Sequence, residues 1–315
     1  LDYPAKTQGS VIEEMVRAKL VEAGIPADVK ISQNIIAHEV QRGVKVFDSV
    51  RNIIAVSSGK GGVGKSTVSA NLALALQQEG AKVGLLDADV YGPSQPTMLG
   101  ITDKPYSVDG KTLEPMVAHG LQVASVGVLI DPDQPMIWRG PLAVSALQQL
   151  LKQTNWKDLD YLIVDMPPGT GDIQLSLSQE VPLTGAVVVT TPQDIALMDA
   201  RKGLVMFEKV NVPILGIIEN MATHICSKCG HEEHIFGEGG AAKMAAQYGV
   251  ELLGELPLDI NIRLSMDKGE PIVISDPDSK VAQAYREIAR KLAVAVSKKN
   301  KDYSAKMPSI KVSDT

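Results

Sequence analysis

Residues 57–67 read S-S-G-K-G-G-V-G-K-S-T. Within them, Gly59 to Ser66 matches G-x-x-x-x-G-K-[ST], the pattern of a loop that cradles phosphate. Each residue type has a chemical reason. Gly59, Gly61, Gly62 and Gly64 let the backbone around Val63 curl, so that its N–H groups point at phosphate oxygens. The helix expected to start near Thr67 adds the partial positive charge of its N-terminus. Lys65 neutralises the terminal phosphates, and the Ser66 hydroxyl is a ligand for Mg²⁺. The loop thus predicts ATP as the bound nucleotide. Lys60 is one cation more than the loop requires. A solvated surface lysine is its ordinary fate. The functional reading is a cation given to a phosphate held by a second subunit, as arginine fingers are.

Carboxylates follow in the order such a machine needs. The run L-L-D-A-D-V-Y-G-P-S places Asp87 and Asp89 just past an apolar run. There one of the two can face the nucleotide, and Asp87 is the supporting residue. Y-L-I-V-D-M-P-P-G-T-G-D ends its apolar run in Asp165, suited to holding Mg²⁺ through water. Gly169, Thr170, Gly171 and Asp172 then form a turn flexible enough to sense the γ-phosphate. A single Asp at a strand end is commonly a cap or turn residue. Three in this order behind a phosphate loop favour the functional reading. Asn220, after I-L-G-I-I-E, is placed to bond the adenine edge or to make a turn, and residues 255–259 would lie near it. For W-R-G-P at 138–141, Arg139 is read as a switch, interface or plain surface cation.

Both cysteines of the chain, Cys226 and Cys229, lie in H-I-C-S-K-C-G-H-E-E-H. The polar, glycine-bounded surroundings predict an exposed loop. C-x-x-C is compatible with a redox pair, half a zinc site or half an iron–sulfur site. With four thiolates typical of a [4Fe-4S] cluster, two chains would supply the set. His224, His231 and His234 keep zinc as the alternative within one chain.

The elements that must position these residues alternate. Strands are predicted over 52–57, 82–87, 121–129, 161–165, 186–190, 214–219 and 251–256, several as unbroken Val/Ile/Leu runs. Helices are predicted over 66–78, 142–153, 196–210 and 281–296. The expected class is α/β, with a mostly parallel sheet flanked by helices and ligands at the carboxyl ends of its strands. Residues 1–45 read as an N-terminal extension and linker. In it Val11, Ile12, Met15, Val16 and Leu20 share a helical face, and a polar β-like piece follows. Residues 46–297 form the ATPase domain, and 298–315 a polar tail. The chain opens on Leu1, so residues before it are expected to be missing.

Bulk properties narrow the function. The chain has 315 residues, a formal charge of −6 and 4% aromatic residues, which argues against nucleic-acid or membrane partners. Two cysteines suit a reducing compartment, and the expected location is the cytoplasm.

The loop K-G-G-V-G-K-S-T resembles the deviant Walker A loop of the ParA/MinD/nitrogenase-iron-protein class of P-loop NTPases. That resemblance implies the cross-subunit role for Lys60, a switch-I role for Asp89 and a switch-II role for 169–172. S-G-K-G-G-V-G-K-S, L-L-D-A-D-V-Y-G-P-S-Q-P, V-D-M-P-P-G-T-G-D, G-I-I-E-N-M-A and the C-S-K-C-G…I-F-G-E-G-G stretch together resemble the Mrp/ApbC family of iron–sulfur cluster carrier ATPases. The likeness spans about residues 38 to 295. Residues 11–37 are similar to the end of a MIP18-like (DUF59) domain, incomplete here. The resemblance implies a homodimer that binds a [4Fe-4S] cluster through Cys226 and Cys229 of each subunit. It further implies transfer to apo-proteins, exchange with cluster scaffolds, and ATP hydrolysis. A ParA/MinD-type positioning ATPase is the other reading, and it leaves the cysteines unexplained.

Overall fold

The computed structural model describes residues 1–41, 44, 47–128, 140–226 and 228–302. Arg139, most of the expected tail and the end of the strand predicted over 121–129 lie outside them.

Among the described residues eight strands form one sheet: β1 (Val50–Ser57), β2 (Val83–Asp87), β3 (Met116–Ala118), β4 (Leu121–Ser125), β5 (Leu159–Asp165), β6 (Gly185–Thr190), β7 (Ile214–Glu219) and, last of them in the chain, β10 (Leu252–Glu255). Their spatial order is β10-β7-β6-β1-β5-β2-β4-β3. Every pairing is parallel except the short edge hairpin β3–β4. The two remaining strands, β8 (His224–Ile225) and β9 (Glu232–Glu233), pair only with each other as a separate antiparallel hairpin.

The unbroken apolar runs follow from burial on both faces. Successive side chains of a strand point to opposite sides. Ile54, Val56, Tyr161, Ile163, Val187 and Val189 pack on one side, against α2 (Lys65–Gln78), α8 (Ile260–Asp267), α9 (Ile272–Ser275) and α10 (Lys280–Ser297). Ile53, Ala55, Leu162, Val164, Ala186 and Val188 pack on the other. They meet α4 (Gly140–Gln153), α5 (Asp172–Glu180), α6 (Asp194–Lys209) and α7 (Gly240–Tyr248). The four predicted helices are present as α2, α4, α6 and α10. Helices α3 (Gln95–Met98), α5 and α7–α9 and strands β3, β8 and β9 were not anticipated. Each is short, so none carries enough turns or alternations to show its period.

The N-terminal segment behaves differently from its apolar pattern. Helix α1 (Gly9–Glu22) has no buried residue, and Met15 is 65% exposed. Its flanks hold the segment to the body instead. Thr7 Oγ1 donates to buried Glu79 at 2.6 Å, and Arg290 pairs with the same carboxylate at 2.6 Å. His38 meets Asn52 Oδ1 at 2.9 Å. The polar piece expected to be β-like contains, among the described residues, only an isolated bridge from His38 to Lys301.

Candidate functional site

Between β1 and β2 the chain skips the position filled by β5. β1, β5 and β2 therefore end side by side where the strand order reverses, and such a crevice is where open α/β sheets bind ligands. The register aligns Val56 with Asp165, Asp165 with Asp87, and Asp87 with Ser125. Asp165, Asp87 and Ser125 thus form one row, pointing from one face at the mouth of the phosphate loop.

The loop itself runs from Ser58 into α2. Gly64 caps the helix at φ 80°, a left-handed conformation natural to glycine. A side chain there would also collide with Asn220 Nδ2, 2.3 Å from where its Cβ would lie. Gly59 is held for a second reason. A Cβ on it would sit 2.1 Å from the Asp199 carbonyl carbon, so the start of the loop lies flat against α6. Residues Lys60 to Thr67, with Ser58, Asp89, Ser94, Met98 and Pro168, line a cavity of about 220 Å³. A second cavity of about 230 Å³ shares Gly64, Thr67 and Met98 with it and continues past Asn220, Met221, Pro257, Leu258 and Asp259.

Lys65 is buried, and its Nζ lies 2.6 Å from Asp165 Oδ1 and 3.2 Å from Ser66 Oγ. Ser69 Oγ donates to the same carboxylate oxygen at 2.8 Å. Gln95 Nε2 donates to Asp165 Oδ2 at 2.9 Å and to the Ser66 carbonyl at 2.9 Å. Asp87 accepts from Ser125 Oγ (3.0 Å) and from the backbone of Ser94, Gln95 (3.1 Å each) and Asp89 (3.2 Å). Burial, and then the negative charge of Asp165, push the Asp87 carboxyl up to about 7 against the pull of these hydrogen bonds. Asp89 lines the cavity and closes an Asx turn, its Oδ1 accepting from Tyr91 and Gly92 N–H at 3.2 Å.

Lys60 is half-buried at the lip of this cavity. No ion pair or side-chain hydrogen bond holds its ammonium among the described residues. Gly169 is at φ 98°, and its N–H bonds the Ser58 carbonyl at 2.9 Å, tying the 169–172 turn to the phosphate loop. Gln174 closes that turn onto the Pro168 carbonyl. Thr170 is half-buried and Asp172 exposed at the start of α5. Asn220 lies in the second cavity, and its Nδ2 donates to the Val63 carbonyl at 2.9 Å.

The cysteines sit at the same carboxyl end of the sheet. β7 ends at Glu219, and Asn220 and Met221 lead into the β8–β9 hairpin, whose tip carries half-buried Cys226 and exposed Cys229. Cys226 N–H donates to the His231 carbonyl and Gly230 N–H to the Cys226 carbonyl, each at 2.8 Å. The N–H groups of Lys228 and Cys229, helped by the Cys229 thiol and His224, hold the Cys226 thiol below its ordinary value. Two histidines near the pair are engaged with backbone. His224 Nδ1 meets the Leu258 carbonyl at 3.1 Å, and His234 Nδ1 the Ala222 carbonyl at 3.0 Å. Among the described residues no group of three or more His, Cys, Asp or Glu side chains is placed to hold a metal ion. The hairpin root is bonded to a wall of the second cavity, since Leu258 N–H donates to the Thr223 carbonyl at 2.7 Å.

Reasoning on the sequence did not find Ser69, Gln95 or Ser125. Ser69 is one turn after Lys65, so helical spacing alone would have put it beside Asp165. Ser125 and Gln95 had no such signal, because cross-strand register and loop closure bring them in.

A family model described as ParA: NUBPL iron-transfer P-loop NTPase matches residues 49–293. The chain is similar to the iron-sulfur cluster carrier protein of Salmonella typhimurium, 57% identical over 286 residues that cover 90% of this chain and 78% of that one. It is also similar to the mouse iron-sulfur cluster transfer protein NUBPL, 51% identical over 247 residues covering 78% and 77% of the two chains. Among solved structures, the nucleotide-binding protein of Archaeoglobus fulgidus in complex with ADP superimposes with a TM-score of 0.65 at 37% identity, covering 75% of this chain and 92% of that one. The Pyrococcus furiosus cell division ATPase MinD superimposes with a TM-score of 0.58 at 26% identity, covering 76% and 98%.

Proposed function

Because this chain belongs to the NUBPL-type iron-transfer P-loop NTPases of the ParA class, we propose that it carries a [4Fe-4S] cluster between the Cys226–Cys229 pairs of two subunits and passes it to apo-proteins. Its ATPase chemistry is that of the phosphate loop. The observation that carries the cluster reading is the hairpin tip. It presents two thiols, one exposed, and among the described residues no group of three or more His, Cys, Asp or Glu side chains is placed to hold a metal ion within one chain. One chain then offers two sulfur ligands, and a two-fold pair offers the four that such a cluster takes.

At the phosphate end the roles divide by atom. The N–H groups of residues 61–67 and the α2 N-terminus bind phosphate oxygens. Lys65 has three donors, two of them engaged by Asp165 and Ser66, which leaves one for a phosphate oxygen. The Ser66 hydroxyl and the Asp165 carboxylate are hard oxygen donors gathered around one cation, Lys65 Nζ. They fit Mg²⁺, which takes one or two carboxylates alongside phosphate and water. Ser66 would hold the ion directly and Asp165 through water, and the ion supplies neutralisation of charge on the phosphate oxygens. Asp89, at the cavity wall, orients the attacking water. Lys60 reaches the phosphates of the opposing subunit. Asn220 and 255–259 surround the adenine, and Gly169–Asp172 reports the γ-phosphate through the Gly169–Ser58 bond. The ATPase unit is assigned to 46–297, with 1–45 as an N-terminal extension and 298–315 as a tail. Cluster scaffolds would load the carrier. Among the described residues no helix is long and apolar enough to cross a membrane.

Anaerobic reconstitution tests this reading. About four iron and four sulfide per two chains, in a particle that sediments as a dimer, is the expected result. Tight zinc without sulfide, or a cluster-loaded monomer, would overturn it.

A further inference from the structure

Gln95 lies in the L-L-D-A-D-V-Y-G-P-S-Q-P stretch with no role assigned to it, yet it touches three parts of the site. It is the first residue of α3 (Gln95–Met98) and is fully buried. Its Nε2 bridges Asp165 Oδ2 and the Ser66 carbonyl, and its backbone N–H reaches Asp87 Oδ2. Its own Oε1 is buried with no hydrogen-bond partner among the described residues. The unpaired carbonyl costs stability, and the two bonds donated by Nε2 offset that cost. The value of the amide therefore lies in what its donor holds.

The distribution of bonds on Asp165 suggests what that is. Lys65 and Ser69 share Oδ1, and Gln95 alone among these holds Oδ2. With Lys65 divided between Asp165, Ser66 and a phosphate oxygen, Ser69 and Gln95 share the task of keeping the carboxylate in its orientation. The same amide fixes the Ser66 backbone, and the adjoining turn carries Asp89. We infer that Gln95 is a positioning residue for ATP hydrolysis. It locks Asp165 and Ser66 in one relative placement and ties both to the loop that orients the attacking water. The inference rests on the ATPase and Mg²⁺ reading and is independent of cluster carriage.

Gln95→Met separates this role from a structural one, because it keeps the shape, removes the donor and removes the orphaned carbonyl. The full chain is compared with wild type by thermal melting, by calorimetric ATP titration with Mg²⁺ and with EDTA, and by hydrolysis kinetics. Expected are a melting temperature a few degrees below wild type, because Asp165 Oδ2 and the Ser66 carbonyl each lose a donor, and an unchanged affinity in EDTA. The affinity gained on adding Mg²⁺ should shrink by about 10- to 100-fold, with a comparable fall in kcat. In an Asp165→Asn background the Met substitution should add nothing to the Mg²⁺ effect. Should Gln95→Met not fold, Gln95→Leu also removes the donor without adding a charge and is read the same way. A wild-type Mg²⁺ gain in either folded variant overturns the inference. So does failure of both to fold, which would make the amide a requirement of the fold. Wild-type protein that neither binds nor hydrolyses ATP would instead sink the ATPase reading.

Discussion

The phosphate end and the cysteine hairpin lie at the same edge of one sheet and are built on opposite principles. Asp165 is fully buried and receives donors from Lys65, Ser69 and Gln95. The hairpin has two residues per strand, and its tip is open to solvent. Chemistry that stabilises charge in a transition state needs donors fixed beforehand and shielded from water. A ligand set that must receive and release a metal centre needs access, and a short hairpin rooted by a few backbone bonds provides it. The two are joined where Leu258 and Thr223 meet, at the wall of the second cavity.

The sharpest way to break this comparison is to remove one charge from each end. Lys65→Ala is expected to reduce ATP affinity by about 100-fold or more. It also leaves Asp165 a buried carboxylate without its cation, a loss of about 3 kcal/mol of stability. Cys226→Ser or Cys229→Ser should abolish cluster binding and leave ATP affinity intact, with stability unchanged to about 0.5 kcal/mol, as expected at an open surface. Titration calorimetry, iron and sulfide analysis and urea denaturation on the three variants give the cross-pattern. Loss of stability in the cysteine variants would show that the hairpin is wired like the phosphate end.

Lys60→Ala sharpens the same contrast at the lip of the phosphate cavity. ATP binding should survive, and kcat should fall by about 100-fold, the scale of losing one preorganised cation at a transferring phosphoryl group. Normal turnover would remove the cross-subunit role. A smaller effect is expected from Gly59→Ala, where the new Cβ meets α6 backbone and must displace the loop, costing about 1–3 kcal/mol. Gly230→Ala at the hairpin meets no atom and carries only the strain of φ 72°, about 1–2 kcal/mol. Denaturation midpoints rank the pair, and equal losses would contradict the tight seating of the loop.

Much of this was legible beforehand because the signals were local. The seven strands that carry the alternating pattern, and helices α2, α4, α6 and α10, declare themselves through runs and periods of several residues. Lys65, Ser66 and Asp165 were identified by motif, and the structure brings Ser66 and Asp165 each within hydrogen-bonding reach of Lys65. What escaped is set by tertiary arrangement. Gln95 reaches Asp165 across 70 positions of chain, and Ser125 reaches Asp87 because β4 pairs with β2. Helix α1 shows the opposite failure. Its apolar pattern implied a buried face, but nothing among the described residues covers it, since pattern specifies a face and not what packs against it.

The remaining contrast concerns pH. In the folded chain the Asp87 carboxyl is raised to about 7, first by burial and then by the charge of Asp165, from an ordinary 3.8. Between those values the native state binds more protons than the unfolded state, so stability falls as pH rises through that window and levels off above it. Asp87→Asn removes this titration. It also turns an N–H group toward the donors of Ser94, Gln95 or Asp89 and so lowers stability at every pH, which makes the slope the informative quantity. Urea denaturation at pH 5, 6, 7 and 8 should show wild type losing stability relative to the variant as pH rises from 5 to 7, with the difference constant beyond. The cysteine variants, altered only at the hairpin, should follow the wild-type slope. Parallel lines for wild type and Asp87→Asn would mean that Asp87 is ionised throughout, and that the hydrogen bonds from Gln95, Ser125 and Asp89 outweigh burial at this end of the sheet.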